Sequence, residues 1–151
     1  MSRAQQVLAE YAADHRHPVN KGLHRLCVPA IVVSLLGLLW ALPVPAFVAG
    51  MPRLVNWATL ALALTLAWYL RLSQRLGAGM IVVAALALAI VTVLARLPAP
   101  LWLVSAAIFV VAWVGQFIGH AYEGKPPEFF RDWRFLFVGL RWWWRKLRGR
   151  A

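Results

Sequence analysis

LWLVSAAIFVVAWVGQFIG, residues 101–119, holds nineteen residues without one Asp, Glu, Lys or Arg. Three more uncharged apolar runs precede it: LCVPAIVVSLLGLLWAL at 26–42, LVNWATLALALTLAWYL at 54–70 and GAGMIVVAALALAIVTVLA at 77–95. A membrane-spanning helix needs about 17–25 mostly apolar residues, so all four qualify, the first two only at the short end. Lipid offers no hydrogen bonds to a bare backbone, so the spanning form is α-helical. Helices of a soluble bundle would each show a polar stripe, and these runs show none. The expected fold is an all-α integral membrane helical bundle of about four transmembrane helices, flanked by N- and C-terminal cytoplasmic interfacial helices. One domain covers 1–151, with an N-terminal segment at 1–25, a transmembrane region at 26–119 and a C-terminal segment at 120–151.

The composition agrees. Of 151 residues, 62% are hydrophobic and 14% charged, against about 45–50% and about 25% in soluble domains. Such hydrophobicity excludes disorder. Cys27 is the only cysteine, so no disulfide forms within the chain. Residues 1–25 are polar and lack the apolar core of a signal peptide.

Sixteen Lys and Arg against five Asp and Glu give a net charge of +11. Nucleic acid is one partner for so basic a chain, but the charge sits in clusters between apolar runs, where anionic lipid headgroups are the better match. The N-terminal segment carries Arg3, Arg16, Lys21 and Arg25, and the loop between runs two and three carries Arg71 and Arg75. Eight more fall between Lys125 and Arg150, while the other two loops hold only Arg53 and Arg96. Fourteen against two is a positive-inside bias that places both termini in the cytoplasm, with the inner (plasma) membrane as the location if the cell is bacterial. An even number of spans agrees. Seventeen residues reach about 26 Å, short of a hydrocarbon core of about 30 Å, so re-entrant hairpins stay open for runs one and two.

The scarce polar residues gather at one level of this topology. All four histidines (His15, His17, His24, His120) and all five acids (Glu10, Asp14, Glu123, Glu128, Asp132) lie in or beside the two cytoplasmic end segments. In the first, Pro18 favours the opening turn of a helix and disfavours helix before it. The expectation is a helix over about 4–14, a break at 15–18, and a second helix entering the membrane. There Asn20 and His24 are four apart and share a face. Headgroup or backbone hydrogen bonding by an interfacial histidine is the plainer alternative. His17 reads as an N-cap or as support for a ligand, Tyr11 as a donor to a ligand or as packing, and Cys27 as a small buried hydrophobe.

In the second segment Gln116, His120 and Glu123 fall at i, i+4 and i+7, one helix face. A Gln and a His at the end of an apolar span are costly unless partnered, which makes function their default explanation. A His-x-x-Glu pair can place nitrogen and carboxylate on one metal. With His15 and His24 the set becomes three imidazoles and a carboxylate, a mixture suited to Fe(II), Zn or Mn. Residues 129–150 alternate aromatic rings with arginines, as suits a helix lying among headgroups.

Two motifs make the chain familiar: Tyr11-x3-His15-x4-Asn20-x3-His24-x4-Pro29, and Trp113-x2-Gln116-Phe-Ile-Gly119-His120-x2-Glu123-Gly-x-x-Pro127 continuing into Phe129-Phe-x-Asp132-x2-Phe135-Leu-x-Val-Gly139. With them the chain resembles the Mpo1-like family (the DUF962 domain), small multi-pass proteins whose yeast member is a 2-hydroxy fatty acid dioxygenase. The resemblance implies an Fe(II)-dependent dioxygenase of the membrane. It would remove one carbon oxidatively from a 2-hydroxy fatty acid, using O2. Carried over by position, it implies His15, His24, His120 and Glu123 as the iron-site residues, with Glu123 either a ligand or an orienting group. Tyr11, Asn20 and Gln116 are the candidate catalytic residues beside them. Leu26-Cys27-Val28 and Leu140-Arg141 depart from the family pattern without touching a candidate ligand. Two other classes fit the same residues: a non-catalytic lipid- or partner-binding membrane protein, and a metal-dependent lipid hydrolase that needs no O2.

Overall fold

The computed structural model describes residues 17–124. Tyr11, His15, the helix expected over 4–14 and the aromatic–arginine segment lie outside them. The described residues form four α-helices and no strand: α1 (Pro18–Ala41), α2 (Trp57–Leu72), α3 (Gln74–Leu94) and α4 (Leu101–Glu123). Three of them, α1, α3 and α4, are long and apolar enough to cross a membrane, and α2 is a shorter apolar helix of 16 residues. The all-α membrane class follows from this.

α1 differs from its apolar run at the start. The run begins at residue 26, but the helix begins at Pro18 and takes in Lys21, His24 and Arg25, giving 24 residues and about 36 Å. Pro18 sits at the first helical position, where a missing N–H costs nothing and φ is already helical. Pro29 lies inside α1 and withdraws one N–H from its ladder, yet the helix runs on to Ala41. α1 is thus long enough to span although its uncharged run is short, and its start agrees with the break expected at 15–18. α2 keeps the short length its run implied.

The described chain falls into two compact units. One consists of the residues up to Ile31 and from Val110 onward; the other is Val32–Phe109. In the second, Val33, Leu36, Ala58, Ala87 and Val91 form a buried core, with Leu39, Trp40 and Leu62 among the side chains packed on it. α2 starts on a full capping box: the Asn56 side chain accepts from the Ala58 and Thr59 amides at 2.9 and 3.1 Å, and the Asn56 amide donates to Thr59 Oγ1 at 3.2 Å. The six-residue spacer expected between runs two and three shrinks to Ser73. Its amide donates to the Tyr69 carbonyl at 3.0 Å, closing α2, and its hydroxyl accepts from the Leu76 amide at 3.5 Å, opening α3. One residue with both capping functions leaves no need for a loop. Many large apolar side chains face outward, Leu64 at 65% and Leu86 at 60% exposed among them, as lipid-facing surfaces require.

Candidate functional site

The first unit pairs the beginning of α1 with the end of α4. Asn20, His24 and Cys27 of α1 are buried, as are Gln116 and His120 of α4. On each helix the polar residues are four apart, so they stack on one face. Gly115 and Gly119 of α4, also four apart, let α1 approach. A Cβ on Gly119 would lie 2.7 Å from Asn20 Oδ1, and one on Gly115 would lie 2.6 Å from Cys27 Sγ. Small residues at this spacing allow close helix packing in membranes.

Close packing brings the two histidines together. His24 Nε2 and His120 Nε2 are 3.2 Å apart, their rings edge-on at 78°. Two imidazole nitrogens, each about 2.0–2.1 Å from one metal at adjacent positions, would be separated by about 3.0–3.4 Å. The pair therefore fits two nitrogen ligands of a single Fe(II), Zn or Mn ion. Among the described residues no third His, Cys, Asp or Glu joins them. His15, expected as a third imidazole, falls outside those residues.

Glu123 is the fourth expected iron-site residue. Its carboxylate accepts from the His17 backbone amide through both oxygens, at 3.0 and 3.2 Å, and from Asn20 Nδ2 at 3.0 Å. His17 itself is the N-cap of α1. Its carbonyl accepts from the Lys21 amide at 3.1 Å and its ring Nδ1 from the Val19 amide at 3.3 Å, while the ring stacks on Tyr122 at 5.4 Å. The first turn of α1 and the last turn of α4 are joined at this point. α4 ends one residue later at Gly124, whose φ of 71° is a left-handed stop.

With its NH2 donating to Glu123, the Asn20 amide has a fixed orientation, and Oδ1 turns the other way. Among the described residues, that Oδ1 and Gln116 Nε2 are buried without a hydrogen-bond partner. One is an acceptor and the other a donor, and both belong to residues at most 4% exposed. Buried polar atoms of this kind call for a partner, an ordered water or a ligand group, because each left unpaired costs about 1–3 kcal/mol. Two features escaped the residue reading. The His17 backbone amide as a partner of Glu123 has no sequence signal, whereas Gly115-x-x-x-Gly119 is a spacing that sequence alone displays.

A helical membrane protein with a buried bis-histidine pair between two glycine-packed helix ends is the class this geometry defines. The profile of the Mpo1-like family, described as 2-hydroxy-palmitic acid dioxygenase Mpo1-like, matches residues 1–151. The chain belongs to the Mpo1-like family. No curated protein and no solved structure matches it.

Proposed function

We propose that this chain is an Fe(II)-dependent membrane dioxygenase that shortens 2-hydroxy fatty acids by one carbon. The observation that carries the reading is the buried His24–His120 pair, with Nε2 atoms 3.2 Å apart in a member of a family named for 2-hydroxy-palmitic acid dioxygenation. His24 and His120 would hold the iron, with His15 the remaining imidazole candidate. Bound iron would supply open coordination positions and relay electrons from the hydroxy acid to O2. The overall conversion balances as RCH(OH)COOH + O2 giving RCOOH + CO2 + H2O.

The chain's own residues have separate tasks in this reading. Asn20 Oδ1 and Gln116 Nε2 offer an acceptor and a donor that flank the histidine pair, one turn to either side of it, for polar groups of a bound 2-hydroxy acid. Lys21 and Arg25, in the first turns of α1, add positive charge that would attract an anionic head. The apolar helix faces take the acyl chain and keep bulk water from the histidines. Anionic lipids surround the basic ends.

The test is direct. Purified protein in lipid nanodiscs, loaded anaerobically with Fe(II), is given 2-hydroxyhexadecanoate and then O2. The expected product is the fifteen-carbon acid, formed only with O2 and lost in His24→Ala and His120→Ala. Turnover without O2 would favour a hydrolase. Absence of both iron binding and product would leave a non-catalytic lipid-binding role.

A further inference from the structure

On α1 Asn20 precedes His24 by one turn, and on α4 Glu123 follows His120 by one turn. The structure therefore has two neighbouring rungs between the helices, Glu123 with Asn20 and His17, and His24 with His120. We propose that Glu123 is a positioning residue: its carboxylate clamps the first turn of α1 to the last turn of α4 and so holds His24 against His120. The role at the histidines rests on the iron-site reading above; the clamp itself does not.

The chemistry favours this use of the carboxylate. In a capping box the residue at the third helical position reaches back to the N-cap amide. Here the N-cap is His17 and the third position is Asn20, which does not turn back. Instead the His17 amide and the Asn20 side chain both donate to Glu123, so the acid of the box is supplied by another helix. A carboxylate at the C-terminal end of α4 opposes that helix's dipole, but at the N-terminus of α1 it meets the positive end. Its bonds there are charge-assisted and stronger than neutral ones. Removing them frees the start of α1, and with it the register of Asn20 and His24.

Two readouts separate a clamp from a ligand. Metal-free protein in detergent is melted, and Co(II) is titrated into it as an optical stand-in for Fe(II). For Glu123→Ala and Glu123→Gln, Tm of the metal-free protein should fall by several degrees, Co(II) affinity should fall about 10- to 100-fold, and the spectrum of bound Co(II) at saturation should not change. Adding Asn20→Asp to Glu123→Gln reverses the donor and acceptor between the side chains, while the Gln oxygen still accepts from His17. This double variant should recover Tm and at least part of the affinity. Unchanged metal-free Tm in both single variants, an altered Co(II) spectrum, or no recovery in the double variant would each overturn the proposal. If Glu123→Ala does not fold, Glu123→Gln and its double variant decide alone. A wild-type protein that binds no Co(II) or Fe(II) defeats the iron reading, and the Tm recovery then decides the clamp.

Discussion

Gln116 is where a single side chain distinguishes function from packing. It lies in an apolar helix, is 4% exposed, and its Nε2 has no hydrogen-bond partner among the described residues. In that state the group costs stability, and an apolar residue of similar size removes the desolvation cost. Gln116→Leu should therefore raise the stability of substrate-free protein by on the order of 1 kcal/mol and at the same time weaken turnover of the 2-hydroxy acid. Thermal melts of the metal-free protein and a KM-against-kcat comparison check both halves. A variant that is less stable would mean that Gln116 is a packing residue after all. The same logic applies less sharply to Asn20, whose NH2 already has a partner in Glu123.

Between helices, the close approach of α1 and α4 rests on Gly119. An added Cβ would meet Asn20 Oδ1 at 2.7 Å and Asn20 Cα at 3.4 Å, and the amide cannot swing away without losing Glu123. Gly119→Ala should lower both Tm and Co(II) affinity. Gly22→Ala is the matched control: it sits on an exposed face of α1 with nothing within 4 Å of its added Cβ. Alanine there should be neutral or stabilise by about 0.5–1 kcal/mol, as in any helix interior. Equal damage from both substitutions would sink the packing account. The contrast also shows what was legible beforehand. Helices within a few residues of each apolar run follow from local hydrophobicity, and so do the shared faces of Asn20 with His24 and of Gln116 with His120 and Glu123. The start of α1 at Pro18 was legible in the break expected at 15–18 though not in the uncharged run, because Lys21 and Arg25 can keep their charged heads in water while the helix continues. The pairing of His24 with His120 joins residues 96 apart in sequence, and only tertiary packing decides it.

For the whole molecule, the number of crossings is the open quantity that geometry and charge constrain together. α1, α3 and α4 are each long enough to span, and three crossings would put residues 24 and 120 on opposite sides. Yet their ring nitrogens lie 3.2 Å apart, and the His17 amide bonds to Glu123. An even number of crossings would satisfy this contact, and if all three long helices cross, α2 is expected to cross as well. Its 16 residues reach about 24 Å, some 6 Å short of a typical core, a mismatch that local thinning and snorkelling of Arg71 and Arg75 accommodate at modest cost. A count of four is also the one under which fourteen of the sixteen basic residues share a face, as the positive-inside rule favours. Membrane-impermeant thiol labelling checks it in a Cys27→Ala background, where single cysteines are placed at Ser73, Gly50 and Ala99. In intact cells Gly50→Cys and Ala99→Cys should label and Ser73→Cys should not; in inverted membrane vesicles the pattern should reverse. Labelling of Ser73→Cys from the same side as Gly50→Cys would make α2 a re-entrant segment. One of the three long helices would then have to stop short of crossing for His24 and His120 to meet.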